Sequence, residues 1–201
     1  MTPLINLLPY RPTATGLSRY VERLLAAWPG ATDQPLPLQL RLGADGEAEL
    51  SRALPLPDGE PCRRLRWLQA NALVQHAVPV RRLVHQANPG LIYSPYTDRL
   101  LAVRDRPKVI TCHDLIPLYC SNSRRAYWRS RLWLPRHLHG ATRVIAISRH
   151  VADLLVESGL AAERIAVVPK LTHAVIADAG HMLHHDQPDV LARLLEEFLS
   201  S

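Results

Sequence analysis

The chain has 201 residues, 47% of them hydrophobic, which is enough for one well-buried core, and its formal net charge of +6 favours anionic partners. The sequence has no apolar run of about 18 residues and no amino-terminal signal pattern, so we expect a cytoplasmic protein without a membrane-spanning helix. Cys62, Cys112 and Cys120 form no C-x-x-C pair, which argues against a disulfide framework and a cysteine-based zinc site.

The hydrophobic pattern predicts strands that alternate with helices. In chain order, the predicted elements are a strand at 3–8, a helix from Leu17 that Pro29-Gly30 ends, a strand at 36–42, a short helical stretch at 47–53, helical residues 62–87 with a break at Pro79, a strand at 91–95, a buried strand from Val109 that ends by presenting His113-Asp114 within the run 109–118, a helix at 123–139, a strand at 141–148, a helix at 149–159 and a strand at 164–169. The apolar positions of the first helix are Tyr20, Val21, Leu24, Leu25 and Trp28, which follow helical spacing. This order predicts an α/β fold with a single Rossmann-like parallel sheet flanked by helices. A strand at 173–180 and a helix that Asp186 caps form a C-terminal strand-helix tail.

The predicted helix at 123–139 combines arginines with Tyr127, Trp128 and Trp133. One interpretation is a solvated helix face whose aromatic side chains belong to the core. Another is peripheral contact with an anionic membrane surface. Nucleic acid is not an expected partner, because no recognised binding motif accompanies the charge.

Three segments together resemble the amino-terminal half of the family 4, GT-B-type glycosyltransferases, over about residues 3–169. These segments are Thr15-Gly-Leu-Ser-Arg-Tyr20, Val109-Ile-Thr-Cys-His-Asp-Leu-Ile-Pro117, and Arg143-Val-Ile-Ala-Ile-Ser148 leading through a helix to Ile165-Ala-Val-Val-Pro169. The resemblance implies half of a GT-B fold, in which a first Rossmann-like domain binds the acceptor and a second holds a nucleotide-sugar. It also implies that the nucleophile is a hydroxyl of the acceptor, a sugar or a lipid.

The resemblance directs attention to five residues, three at the carboxyl ends of strands and two at the start of a helix. His113 and Asp114 are the candidate catalytic residues, since His113 can hydrogen-bond a sugar hydroxyl and Asp114 can orient it or contact the acceptor. Gly16 lets backbone N–H groups approach an oxygen at a helix start, and Arg19 adds a charge-assisted contact. Ser148 either lines the same cleft or caps the helix at 149–159.

The family pattern stops after Pro169, where Lys170 and 31 further residues follow instead of a second domain. We therefore expect residues 1–169 to be a glycosyltransferase-like domain of the hexosyltransferase type that is inactive alone or depends on a separate donor-domain protein. Neither a metal nor a cofactor is expected.

Residues 170–201 resemble the carboxyl end of an α/β-hydrolase, in which His181 is the alternative base. That chemistry needs a nucleophile in a G-x-S-x-G elbow, and the nearest segment, Gly16-Leu-Ser-Arg-Tyr20, lacks the second glycine. His181, His184 and His185 lack the H-E-x-x-H arrangement of a zinc site.

Three function classes therefore remain open. The favoured class is a glycosyltransferase-related protein. The others are a small hydrolase that uses His181 and a non-catalytic module at the inner face of an anionic membrane.

Overall fold

A seven-stranded sheet organises the computed structural model, which describes residues 2–10, 16–31, 36–43, 47–52, 77–97, 103, 105–116 and 124–168. The strands are β1 (Leu4–Asn6), β2 (Leu38–Leu42), β3 (Ala48–Ser51), β4 (Ile92–Ser94), β5 (Lys108–Cys112), β6 (Arg143–Ala146) and β7 (Ile165–Val167). The helices within these residues are α1 (Gly16–Ala31), α2 (Ala77–Ala87), α3 (Arg124–Gly140) and α4 (Arg149–Glu157), with a 3-10 turn at Ala162–Arg164.

The sheet order is β3-β2-β1-β4-β5-β6-β7, and every neighbouring pair is parallel except β2 and β3. The chain moves from β1 to β2 on one side and later returns to build β4 to β7 on the other side. Right-handed crossovers in opposite directions place their helices on opposite faces of a sheet. The predicted α/β, Rossmann-like parallel sheet is confirmed.

Both faces of the sheet are packed by helices. On one face, α1 contributes Tyr20, Val21, Leu24, Leu25 and Trp28 to a cluster with Ile5, Tyr93, Val109 and Ile145. The other face receives Val80 and Val84 of α2, Leu134 and Leu138 of α3, and Val151 and Leu155 of α4. Successive buried residues of a strand therefore pack in two different apolar layers, one on each face of the sheet.

The prediction of a helical stretch at 47–53 is wrong, because these residues include the edge strand β3. This strand pairs antiparallel with β2, and Arg41 Nε donates to Glu49 Oε1 at 2.7 Å across the pair. Gly43 N also donates to Glu47 O at 2.8 Å at the turn. Pairing with β2 satisfies the backbone groups of β3, and an isolated segment of this length could not do so as a helix.

Two prolines behave differently from their predicted roles as breaks. Pro29 lies inside α1, which continues to Ala31 instead of ending at Pro29-Gly30. A proline this close to the carboxyl end removes one late hydrogen bond, while Trp28 remains buried against the sheet. Pro79 lies in the first turn of α2, where its missing N–H has no helical partner to lose.

The remaining predicted strands and helices up to residue 168 are confirmed, with ends that differ by a few residues. Predicted helical residues 62–76 and the predicted tail, including the strand at 173–180, lie outside the described residues. Among the residues that are described, none of the helices is long and apolar enough to cross a membrane.

Candidate active site at the carboxyl edge of the sheet

The carboxyl ends of β1 and β4 mark the point where the strand order changes direction. Asn6 Nδ2 donates to Ser94 Oγ at 3.2 Å, and Ser94 Oγ donates to the carbonyl of Tyr96 at 2.9 Å. Asn6 Oδ1 in turn accepts from Leu8 N at 3.3 Å. Ligands of open α/β sheets bind outside the carboxyl ends of strands at such a switch point, so these buried bonds shape the floor of a candidate cleft.

His113 follows the carboxyl end of β5 and leaves only 8% of its surface to solvent. Its Nε2 lies 2.7 Å from the carbonyl oxygen of Pro95. A carbonyl can only accept, so Nε2 donates to it, and Nδ1 is buried. The ring of Tyr20 meets the imidazole edge to face, with centroids 5.7 Å apart and planes at 80°. The imidazole is therefore held in one orientation by β4's loop and by α1.

A chain of buried hydroxyls lies directly behind His113. The hydroxyls of Tyr20 and Tyr93 are 2.6 Å apart, and the Tyr93 hydroxyl is 2.7 Å from Thr111 Oγ1. Burial raises the pKa of Tyr20 to about 12, although its hydroxyl partners oppose the shift. Burial also raises the pKa of Tyr93 well above its ordinary value, and the nearby Tyr20 adds to that effect. Both phenols stay protonated near neutral pH and join α1 to β4 and β5.

Gly16 and Arg19 occupy the first turn of α1. Gly16 is the first helical residue and is half-buried, while the side chain of Arg19 is exposed. Arg19 directly precedes Tyr20, whose ring contacts His113, so the start of α1 lies at the same edge of the sheet as the imidazole. The helix start therefore presents backbone N–H groups and one guanidinium beside the candidate cleft.

The side chains of Asp114 and Ser148 each accept a hydrogen bond from a backbone N–H a few residues further along the chain. The exposed Asp114 accepts from Ile116 N at 3.1 Å through Oδ1, which forms a tight turn after β5. Ser148 Oγ accepts from Val151 N at 3.2 Å with extended backbone angles at Ser148 itself. The interpretation of Ser148 as the N-cap of α4 is confirmed.

Cys112 is the last residue of β5 and is fully buried. Burial raises the pKa of its thiol to about 12, and the carboxylate of Asp114 adds to the shift. A neutral, enclosed thiol is a poor nucleophile, so the edge offers no cysteine chemistry at this position. Its Sγ instead donates weakly to the carbonyl of Asp114 at 3.6 Å.

The structure brings His113 and α1 together through residues that sequence reasoning did not select. Tyr20 was predicted only as an apolar position of its helix, and Asn6, Ser94, Tyr93 and Thr111 were not predicted as site residues. Asn6 carried one signal, a polar side chain within the apolar run Leu4-Ile-Asn-Leu-Leu8. His181 lies outside the described residues, and among those described no group of three His, Cys, Asp or Glu side chains could hold a metal ion.

Comparison with known proteins adds one finding to this geometry. No curated protein matches the chain. The family model of Glycosyltransferase Family 4 matches residues 14–171, which include Gly16, Arg19, His113, Asp114 and Ser148. The match ends before His181 and gives no support to the hydrolase resemblance of the tail. Because the match spans more than half of the 201 residues and the sheet is the Rossmann-like half of a GT-B fold, the chain belongs to glycosyltransferase family 4.

Proposed function

We propose that the described domain binds the acceptor of a sugar transfer at the carboxyl edge of its sheet, with His113 at the floor of the acceptor site. One observation carries the proposal: His113 is fixed by Pro95 and Tyr20 beside the switch point between β1 and β4. A fixed imidazole keeps the floor of the site in one shape, and this favours specific binding.

The other residues of the edge have supporting roles in this proposal. The N–H groups that begin at Gly16 and the guanidinium of Arg19 suit an anionic or oxygen-rich group of the acceptor. Asp114 is exposed beside the imidazole and suits a second sugar hydroxyl. The acceptor's own hydroxyl is the nucleophile, and a nucleotide-sugar supplies the sugar, as the family resemblance implies.

In the resemblance, the nucleotide-sugar belongs to a second Rossmann-like domain. We propose that transfer requires such a donor-binding domain together with the sheet described here. The test measures transfer from a panel of nucleotide-sugars by the purified 201-residue chain, alone and with lysate from its source. Transfer that appears or increases with lysate supports the requirement, while full transfer by the purified chain contradicts it. Aryl-ester cleavage is followed in parallel, and cleavage abolished by His181→Ala would support a hydrolase instead.

His113→Ala is expected to weaken acceptor binding about 10-fold, because it removes the side chain that Pro95 and Tyr20 hold at the floor of the site. Saturation-transfer NMR with the acceptors that support transfer measures the affinity. His113→Gln places an amide N–H near the position of the histidine Nε2, so it keeps a donor for the Pro95 carbonyl and separates loss of contact from loss of fold.

His85→Ala is the matched control, because His85 is an exposed histidine near the carboxyl end of α2, which leads into the amino end of β4 at the opposite edge of the sheet. We expect His85→Ala to bind acceptor like the unaltered chain. Equal affinities for the His113 and His85 variants would remove His113 from the site.

A further inference from the structure

Helix α3 carries apolar side chains on its inward face and also on its outward face, and among the described residues the inward ones belong to the core. Its inward face buries Leu134 and Leu138 against the sheet. Its outward face exposes Trp128, Leu132 and Trp133 to 67%, 48% and 38% of their surfaces. Trp128 and Leu132 stand four residues apart and are therefore neighbours on the helix surface. Trp128 and Leu132 therefore form an exposed apolar pair, and Trp133 adds exposed apolar surface further round the same helix.

The same outward face is strongly basic. The sequence of α3 contains five arginines and no acidic residue. The guanidinium of Arg131 lies 5.8 Å from the ring centroid of Tyr127 and donates to the Tyr127 hydroxyl at 3.0 Å. Arg136 lies 5.8 Å from the ring centroid of Trp133. Guanidinium groups and aromatic rings are thus held side by side. The guanidinium groups can reach phosphate, while the rings can contact an apolar environment.

The position of α3 relates this face to the candidate cleft. The helix is the next described element in chain order after β5 and leads back to the amino end of β6. Trp128 lies in its second turn, on the half of the helix nearer to His113. Ile116, in the turn that follows β5, is 61% exposed at the same edge.

We propose that the outward face of α3, formed by Trp128, Leu132 and Trp133 with Arg124, Arg131 and Arg136, docks on the surface of a bilayer that contains anionic lipids. The charge of the face selects this occupant, since a second copy would bring arginines against arginines. A helix of 17 residues is about 25 Å long and can lie in the headgroup region with its tryptophans at the acyl boundary. The inference stands apart from the proposed acceptor site at His113 and can hold if that site fails.

The test is flotation of the full chain with vesicles of phosphatidylcholine, with and without phosphatidylglycerol, at low and high salt. We expect binding to the phosphatidylglycerol vesicles that weakens as salt is raised. Arg131→Gln combined with Arg136→Gln should weaken this binding about 30-fold, from the usual contribution of two basic residues near an anionic surface. Trp128→Ala combined with Leu132→Ala should reduce binding at both salt concentrations, because it removes apolar burial.

Arg81→Gln combined with Arg82→Gln is the matched charge control on α2, where both side chains are exposed. Val156→Ala is the apolar control on α4, where Val156 is 46% exposed. Both controls should bind vesicles like the unaltered chain. Far-UV circular dichroism identifies any variant that fails to fold. If the Trp128 and Leu132 variant does not fold, the arginine variants still test the proposal.

Four outcomes overturn the proposal. The first is no binding to phosphatidylglycerol vesicles, and the second is equal binding to both kinds of vesicle. The third is an equal loss of vesicle binding in the α2 and α3 arginine variants. The fourth is self-association without vesicle binding, when Trp128→Ala abolishes the self-association. A blue shift of tryptophan emission with anionic vesicles that Trp128→Phe reduces supports it.

Discussion

Tyr93 lies at the centre of the buried hydroxyl chain that joins α1 to the sheet. Its hydroxyl is within hydrogen-bond distance of both Tyr20 and Thr111, and its side chain is completely enclosed. Hydrogen bonds of this kind contribute modestly when made, but a buried hydroxyl that loses its partner costs its full desolvation penalty. The two bonds therefore matter both for stability and for the position of Tyr20 against His113.

Tyr93→Phe should lower the free energy of unfolding by about 1–3 kcal/mol, because Tyr20 and Thr111 both lose a buried partner. Tyr10→Phe is the matched control: the Tyr10 hydroxyl bonds Glu22 Oε1 at 2.8 Å in an exposed position, and its loss should cost under about 0.5 kcal/mol. Urea unfolding of the two variants measures both changes. Similar losses of unfolding free energy at the two positions would show that burial does not increase the contribution of the hydroxyl chain to stability.

At the scale of single residues, the sequence predicted the candidate site only in part. His113 and Gly16 could be selected because they stand in motifs next to predicted strand and helix ends. The pairing of Asn6 with Ser94 could not be predicted, although Asn6 is a polar residue in an apolar run, because their hydrogen bond joins positions 88 residues apart and exists only once β1 pairs with β4. Tyr20 was assigned to the apolar face of its helix, which is correct for its ring but says nothing about its hydroxyl.

Ser148 acts at the scale of an element, because its side chain begins α4. Ser148→Ala should destabilise the protein by about 1 kcal/mol, since Val151 N loses its side-chain acceptor, and Ser148→Asn should restore most of that loss. Thermal or urea unfolding checks the stability. Acceptor affinity measured on the same variants tests the cleft-lining role: a variant that regains stability but binds acceptor poorly would indicate that Ser148 also contacts the ligand.

Elements whose stability comes from local pattern were predicted well, whereas β3 was not. The segment Ala48-Glu-Leu-Ser51 is too short for its own periodicity to distinguish helix from strand. Its conformation is decided by partners in β2, including the Arg41–Glu49 pair. Strand propensity depends on such neighbours more than helix propensity does, so sequence reasoning within the segment could not supply the answer.

At the scale of the whole molecule, alternation of strands and helices predicted a parallel sheet but not the order of its strands. That order depends on the direction in which each crossover moves, and the chain reverses direction once, between β1 and β4. The reversal places the candidate cleft. Separately, the alternation of side chains along the strands divides the buried phenols and the buried thiol between two layers. Tyr20 and Tyr93 lie in the layer under α1, and Cys112 lies in the layer under α3 and α4.

This distribution predicts that alkaline pH destabilises both layers. Below pH 9, the thiol and the phenols hold their protons in both folded and unfolded chains, so their full contribution to stability is present. As pH rises from the ordinary thiol pKa of 9 toward about 12, the unfolded chain releases the Cys112 proton while the folded chain retains it. Unfolding then releases protons, and the free energy of unfolding falls by about 1.4 kcal/mol per pH unit for that group.

Tyr20 and Tyr93 add to the same decline above pH 10, because burial raises the pKa of each phenol in the folded state. Urea unfolding at a series of pH values from 8 to 11 should therefore show stability that is level at first and then falls more steeply above pH 10. In Cys112→Ala the decline should begin about one pH unit later, since only the phenols remain of these three groups. If the unaltered chain and Cys112→Ala lost stability in parallel between pH 9 and 10, the thiol would be ionising in the folded state and β5 would be open to solvent at its carboxyl end.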